Sequence, residues 1–212
     1  MEKQFLVLAT TNRGKTAEFC KLLQGFAVEI KDLHDFGSLP KVVEDGKTFE
    51  ENAYKKASFY ARILGIPVIA DDSGLVVDAL AGAPGVRSAR YSGEFSTDSG
   101  NNARLLCEMK DNYNRKAAFE CVLSIAVPTG LALTYEATCK GEIALEPRGE
   151  NGFGYDPLFF YPPLNKTFGE MSIDEKTKVS HRGKAVTELI SEFDKVFLWL
   201  KQKTKKIREN NH

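Results

Sequence analysis

The sequence predicts a mixed α/β (α+β) fold, and three observations carry that reading. Two short continuous apolar runs, Phe5-Leu6-Val7-Leu8-Ala9 and Ile66-Pro67-Val68-Ile69-Ala70, suit strands buried on both faces. Residues 117–127 and 131–139 read as two further strands joined by Pro128-Thr129-Gly130, which makes an antiparallel hairpin. Between and after these runs, apolar residues recur at helical spacing, so helices flank a sheet of parallel and antiparallel strands.

Taken in order, Thr10-Thr11-Asn12 ends the first strand, and from Gly14 onward Ala17, Phe19, Cys20, Leu22 and Leu23 mark a helix. A second helix is expected from Thr48 to about Leu64, with Ala53, Ala57, Tyr60, Ala61 and Leu64 on its core face. Its opening, Thr48-Phe49-Glu50-Glu51, has the form of a capping box, in which hydroxyl and carboxylate each satisfy a free amide. The Ile66–Ala70 strand is expected to stop before Asp71, placing Asp71, Asp72 and Ser73 at its C-terminal end, with Gly74 letting the backbone turn. A helix follows from about Thr97 to Met109. The amphipathic stretch from Ser180 to about Lys201, with Ala185, Leu189, Ile190, Phe193, Val196, Phe197 and Leu200, reads as one closing helix.

A chain of 212 residues, 42% hydrophobic and without a linker-like composition break, can bury one sizeable core. One domain over residues 1–200, with two lobes, is expected, followed by a basic tail, 201–212, that frays. Basic and acidic residues balance at 29 each, which argues against nucleic acid or a membrane surface as partner and requires any polyanion selectivity to be local. Cys20, Cys107, Cys121 and Cys139 show no CxxC spacing, consistent with reduced thiols in a cytoplasmic protein. The N-terminal residues lack the apolar region of a signal peptide, and no window approaches the ~18 apolar residues of a membrane span.

Several segments carry chemistry. At a strand end, Asp71 and Asp72 would point to opposite faces, one catalytic and one structural, although an Asp-Asp-Ser-Gly cluster is also an ordinary turn. The segment ATTNRGKTAEF, 9–19, puts small polar residues and Lys15 at a helix N-terminus, where free amides favour a phosphate. It is not a P-loop, because Ala9 stands where that motif needs glycine. A carboxylate of Glu44-Asp45-Gly46 could join Asp72 on a hard cation. Lys55 and Lys56 diverge by about 100° on their helix, so at most one faces a given site. In NGFGYDPLFFYP, 151–162, Phe153 could stack on a base and Asp156 accept a hydrogen bond, or the block could simply pack as core. In EKTKVSHRGKAV, 175–186, Lys176, His181 and Arg182 are candidate ligand contacts, whereas His34 lies in an unremarkable context.

The segments LATTNRGKTAEF, TFEENAYKKA, ADDSGLVVDALAGAPGVRSARYSGE, GFGYDPLFF and EMSIDEKTKVSHRGKAV, in that order, resemble signatures of the inosine triphosphate pyrophosphatase family. The resemblance spans nearly the whole chain. It implies a single-domain mixed α/β fold with a long central sheet and a cleft between two lobes. It also implies a homodimer that uses Mg2+ to cleave ITP, dITP or XTP to the monophosphate and pyrophosphate, removing deaminated purines from the nucleotide pool. Carried over by motif, Thr10, Thr11, Asn12, Arg13, Gly14 and Lys15 hold the triphosphate, with Lys56 and Ser73 as further phosphate contacts. Glu44 and Asp72 bind the metal, and Asp72 is also the general base. Phe153, Gly154, Tyr155, Asp156, Lys176, His181 and Arg182 form the base and phosphate pocket. Thr11 and Ala81 depart from the common glycines of the pattern, and neither replaces a charged group.

Hydrolysis at the α-phosphorus needs an in-line water and neutralisation of the leaving pyrophosphate. A donor facing purine C6, His181 or Arg182, would donate to a hypoxanthine or xanthine carbonyl and find no acceptor in the amine of adenine. Two other readings stand beside this one: a pyrophosphatase for other modified nucleotides, and a nucleotide-binding sensor without catalysis. The sensor does not explain Glu44 and Asp72, since phosphate binding alone needs lysines and amides.

Overall fold

The computed structural model describes residues 4–26 and 28–209. From the N-terminus the chain forms β1 (Gln4–Leu8), α1 (Arg13–Leu22), β2 (Val28–Asp32), α2 (Phe49–Leu64), β3 (Val68–Val77) and α3 (Asp98–Glu108). There follow β4 (Lys116–Ala126), β5 (Ala132–Ile143), β6 (Phe159–Tyr161), β7 (Lys166–Thr167), α4 (Ile173–Val179), α5 (His181–Ser191) and α6 (Phe193–Glu209). The strands form one sheet in the order β2-β1-β3-β4-β5-β6-β7. β1 runs parallel to both β2 and β3, whereas β6 is antiparallel to β5 and β7, so the sheet is mixed as the sequence predicts.

The chain divides into two units. One comprises the chain up to Asp72, Val122–Glu136 and the chain from Ala185 on; the other comprises Ser73–Cys121 and Ala137–Lys184. Each has its own apolar centre. Val7, Ala9, Leu33, Ala57, Tyr60, Ala61, Val68, Ala70 and Ala126 pack together in the first. In the second, Leu75, Leu105, Met109, Phe119, Phe159 and Phe168 belong to one aromatic-rich cluster.

Local chemistry explains most boundaries. The side chains of Asn12, Thr48 and Thr97 cap α1, α2 and α3 by accepting from the amides of Lys15, Glu51 and Gly100. The expected capping box at α2 is displaced, because the Glu51 carboxylate accepts from the amide of Lys47 at 2.7 Å, one residue before the cap. The hairpin closes where expected: the Val127 amide donates to the Leu131 carbonyl at 2.9 Å and the Gly130 amide to the Val127 carbonyl at 2.8 Å.

Two expectations are corrected. β3 does not stop before Asp71 but runs on through Gly74 to Val77. The carboxylates of Asp71 and Asp72 find partners far along the chain, and Leu75 and Val77 continue the buried pattern, so no turn is needed. The closing helix is two helices, α5 and α6, divided at Glu192. α6 runs on to Glu209, and residues 210–212 of the expected tail lie outside the described residues. β2, β6, β7 and α4 were not predicted. Among the described residues no helix is long and apolar enough to cross a membrane.

Candidate active site

In the first unit, the turn after β1 is held by its own side chains. The Thr10 hydroxyl accepts from the Asn12 amide at 3.1 Å, and Asn12 Oδ1 accepts from the Lys15 amide at 3.0 Å. Thr10 is buried, while Thr11, Asn12 and Arg13 are exposed at the start of α1. Lys15 leaves this turn to reach β3, its Nζ lying 2.5 Å from Asp71 Oδ1 and 3.1 Å from the Asp71 carbonyl. His34, with no role expected from sequence, places Nε2 3.3 Å from the Thr11 carbonyl.

One residue on, the Asp72 side chain joins a different group, as alternation along a strand requires. Lys56 Nζ, from the buried face of α2, lies 2.7 Å from Glu44 Oε2, 3.7 Å from Asp72 Oδ1 and 3.3 Å from the Asp71 carbonyl. Its neighbour Lys55 points outward to the exposed Asp45. Asn52 sets the Glu44-Asp45-Gly46 turn by accepting from the Gly46 amide at 2.8 Å. Asp72 Oδ2 is buried without a hydrogen-bond partner among the described residues. Burial raises the Asp72 carboxyl above its ordinary pKa; the Lys56 and Lys15 ammonium groups pull it down, Glu44 and Asp71 push it up, and burial prevails. Burial would lower the Lys56 ammonium, but Glu44, Asp72 and Asp71 more than reverse that, so its pKa is raised and its charge secure.

The second unit holds a contrasting cluster. Lys176 Nζ and Asp156 Oδ2, both buried, lie 2.5 Å apart. The same carboxylate oxygen accepts from the Phe153 amide at 2.9 Å. Gly152 is obligatory here, because a Cβ at this position would lie 2.0 Å from Asp156 Oδ2. Lys176 Nζ and Arg182 Cζ sit 4.7 Å and 5.8 Å from the Phe153 ring centroid, so two cations face one half-buried aromatic ring. Arg182, 1% exposed, donates to the Ser73 hydroxyl at 3.0 Å. His181 is stacked on Phe119 with centroids 4.7 Å apart and planes 16° from parallel. The Tyr155 hydroxyl donates to the Ser88 carbonyl at 2.9 Å, and burial raises its pKa. That bond makes Tyr155 an anchor of its loop.

Residues 6–192 match the Ham1 family profile. The chain belongs to the Ham1 family. It is 60% identical to a dITP/XTP pyrophosphatase of Syntrophobacter fumaroxidans over 96% of this chain and 88% of that one. A dITP/XTP pyrophosphatase of Desulfotalea psychrophila is 57% identical, over 93% of this chain and 89% of the relative. Among solved structures, a Ham1 protein of Coxiella burnetii superposes with a TM-score of 0.82 at 39% identity, covering 91% of this chain and 99% of that chain. The Staphylococcus aureus Ham1 protein gives 0.80 at 39% identity, covering 90% and 98%.

Within this Ham1 chain, the residues predicted from sequence form two groups rather than a scatter. Glu44, Lys56 and Asp72 meet in the first unit, with Lys15 on Asp71 beside them. Ser73, Phe153, Asp156, Lys176 and Arg182 meet in the second. The sequence reading missed Asn52, Asp98 and Asn102, whose side chains each fix a backbone group of these segments, and Ser88, whose carbonyl accepts from the Tyr155 hydroxyl. One signal was available: asparagine is a poor residue for a helix interior, so Asn52 and Asn102 within α2 and α3 called for a reason.

Proposed function

We propose that this protein hydrolyses non-canonical purine nucleoside triphosphates, dITP, XTP and ITP, to the monophosphate and pyrophosphate. The relatives' names supply the reaction, and the observation that carries it to these residues is Asp72: a half-buried carboxylate with a raised pKa, one buried oxygen lacking a donor, and a charged lysine at its side. In this reading Asp72 Oδ2 takes a proton from an in-line water. A bond forms between that water's oxygen and the α-phosphorus, the bond from the α-phosphorus to its bridging oxygen breaks, and pyrophosphate leaves. A carboxylate whose pKa burial raises is a better proton acceptor than an ordinary aspartate.

The residues fit Mg2+. Among the described residues no group of three or more His, Cys, Asp or Glu side chains could hold a metal unaided. Magnesium accepts one or two carboxylates and fills its remaining positions with phosphate oxygens and water. Glu44 and Asp72, which meet around Lys56, would be those carboxylates. The ion, when bound, neutralises charge on the leaving pyrophosphate.

Lys56 and Lys15 contribute fixed positive charge, Lys56 braced by Glu44 and Lys15 by Asp71. The second cluster would receive the nucleoside: Phe153 offers a face for stacking, while His181 and Arg182 supply donors for a C6 carbonyl. Assembly as a homodimer belongs to the same proposal and is checked by sedimentation. The deciding experiment incubates the purified protein with ITP, dITP, XTP, GTP and ATP, with and without magnesium, and separates the products. Magnesium-dependent pyrophosphate release from ITP, dITP and XTP, with GTP and ATP nearly untouched, is expected. Diphosphate and orthophosphate, or binding without turnover, would refute the proposal.

A further inference from the structure

Phe153 is followed by Gly154, which adopts a left-handed conformation with φ +61°. Both polar groups of Gly154 are gripped by side chains of α3. The Asp98 carboxylate accepts from the Gly154 amide at 2.7 Å, and Asn102 Nδ2 donates to the Gly154 carbonyl at 3.0 Å. Asp98 and Asn102 are four residues apart and therefore share one helix face. The helix is itself tied down. Thr97 caps it, and Asn101 accepts from the Ser92 amide at 2.7 Å and donates to the Ala89 carbonyl at 3.3 Å.

We infer that Asp98 and Asn102 form a clamp that positions the Phe153 ring for the nucleobase. They are positioning residues, acting through Gly154 rather than by touching substrate. This inference rests on the reading of Phe153 as the base platform. Two opposed hydrogen bonds to one residue restrict both of its peptide planes, and the preceding peptide plane carries Phe153. On the other side the Asp156 carboxylate holds the Phe153 amide, so three side chains from two segments fix the ring beneath the Lys176 and Arg182 cations. The grip suits function better than stability alone. Asp98 is exposed, and its hydrogen bond spans 56 residues to a residue whose own side chain is a hydrogen atom, so no packing is served.

The test compares Asp98→Ala, Asp98→Asn, Asn102→Ala and Phe153→Ala by steady-state kinetics on dITP, with inhibition by inorganic tripolyphosphate measured in parallel. Tripolyphosphate has no base, so it reads the phosphate end alone. Asp98→Ala and Asn102→Ala should each raise KM for dITP roughly tenfold, the scale of a lost hydrogen bond, with kcat within about twofold and tripolyphosphate inhibition unchanged. Asp98→Asn keeps an acceptor oxygen and should restore most of the KM. Should Asn102→Ala not fold, the exposed Asp98 pair carries the test alone. A KM unchanged in Asp98→Ala, or tripolyphosphate inhibition weakened in proportion to KM, would overturn the clamp. If Phe153→Ala itself leaves KM for dITP unchanged, the base-platform reading fails, a result distinct from failure of the clamp.

Discussion

The two clusters differ in how completely their charges are satisfied. Around Asp156 every interaction closes: the carboxylate takes a buried ammonium and a backbone amide, and the ammonium also faces an aromatic ring. Around Asp72 it does not. One oxygen has no donor, the nearest ammonium is 3.7 Å from the other oxygen and closer to Glu44, and burial pushes the carboxyl pKa up. A satisfied buried pair gives a rigid platform, which suits recognition. A half-buried carboxylate held short of satisfaction costs stability, and it persists where something outside the chain completes it, which suits chemistry on a polyanion and its counter-ion.

The largest expected effect follows from breaking the satisfied cluster. Asp156→Ala leaves Lys176 buried without its carboxylate and frees the Phe153 amide, so the folded state should lose about 3–5 kcal/mol, read from urea denaturation. A loss below about 1 kcal/mol would show that the pair is not the brace described here. Breaking the unsatisfied cluster should do the opposite to stability. Asp72→Asn should lower kcat by at least about 10²-fold while raising Tm. The sign follows from linkage: with its folded pKa raised by burial, Asp72 holds its proton more tightly folded than unfolded. Stability therefore falls as pH climbs from the ordinary aspartate value of 3.8 through the raised one, and the penalty persists at neutral pH. Asparagine does not ionise and escapes it. Near-normal turnover in this variant would remove Asp72 from the chemistry.

The same contrast explains what could be read from sequence. Local rules with a fixed period were legible. Strand alternation separated Asp71 from Asp72, and they take different partners, Lys15 and Lys56. The helical rotation per residue separated Lys55 from Lys56, and only Lys56 is buried against carboxylates. The length of β3 was not legible, because Asp-Asp-Ser-Gly is turn-forming by local preference and is held extended by lysines 15 to 56 residues away. The partners of Asn52, Asp98 and Asn102 were not legible either, since a side chain bonding to a distant backbone amide or carbonyl has no period in sequence, and the one signal, asparagine inside a helix, does not say what it binds.

A smaller effect is expected from His181, which lies in the second unit and carries a specificity role in the proposed reaction. His181→Ala removes a donor proposed for the purine C6 carbonyl and the ring stacked on Phe119. The preference for ITP over ATP in kcat/KM should fall about tenfold, within the range for an unpaired polar group at a recognition site. An unchanged ratio, with both substrates slowed alike, would reduce His181 to packing.

The finest test uses two neighbouring lysines. The acid limb of kcat/KM reports the free enzyme's essential base, so it should lie above the ordinary aspartate range if Asp72 is that base. Lys56 pulls the Asp72 pKa down, so Lys56→Met should move the limb to still higher pH. Lys55→Met should leave both limb and turnover where they were, because Lys55 engages only the exposed Asp45. Each change removes one positive charge from the same helix, so a general effect of net charge would move both limbs equally. Equal movement would mean that the base titrating in kcat/KM is not the carboxylate beside Lys56, and the distinction drawn between the two clusters would lose its catalytic half.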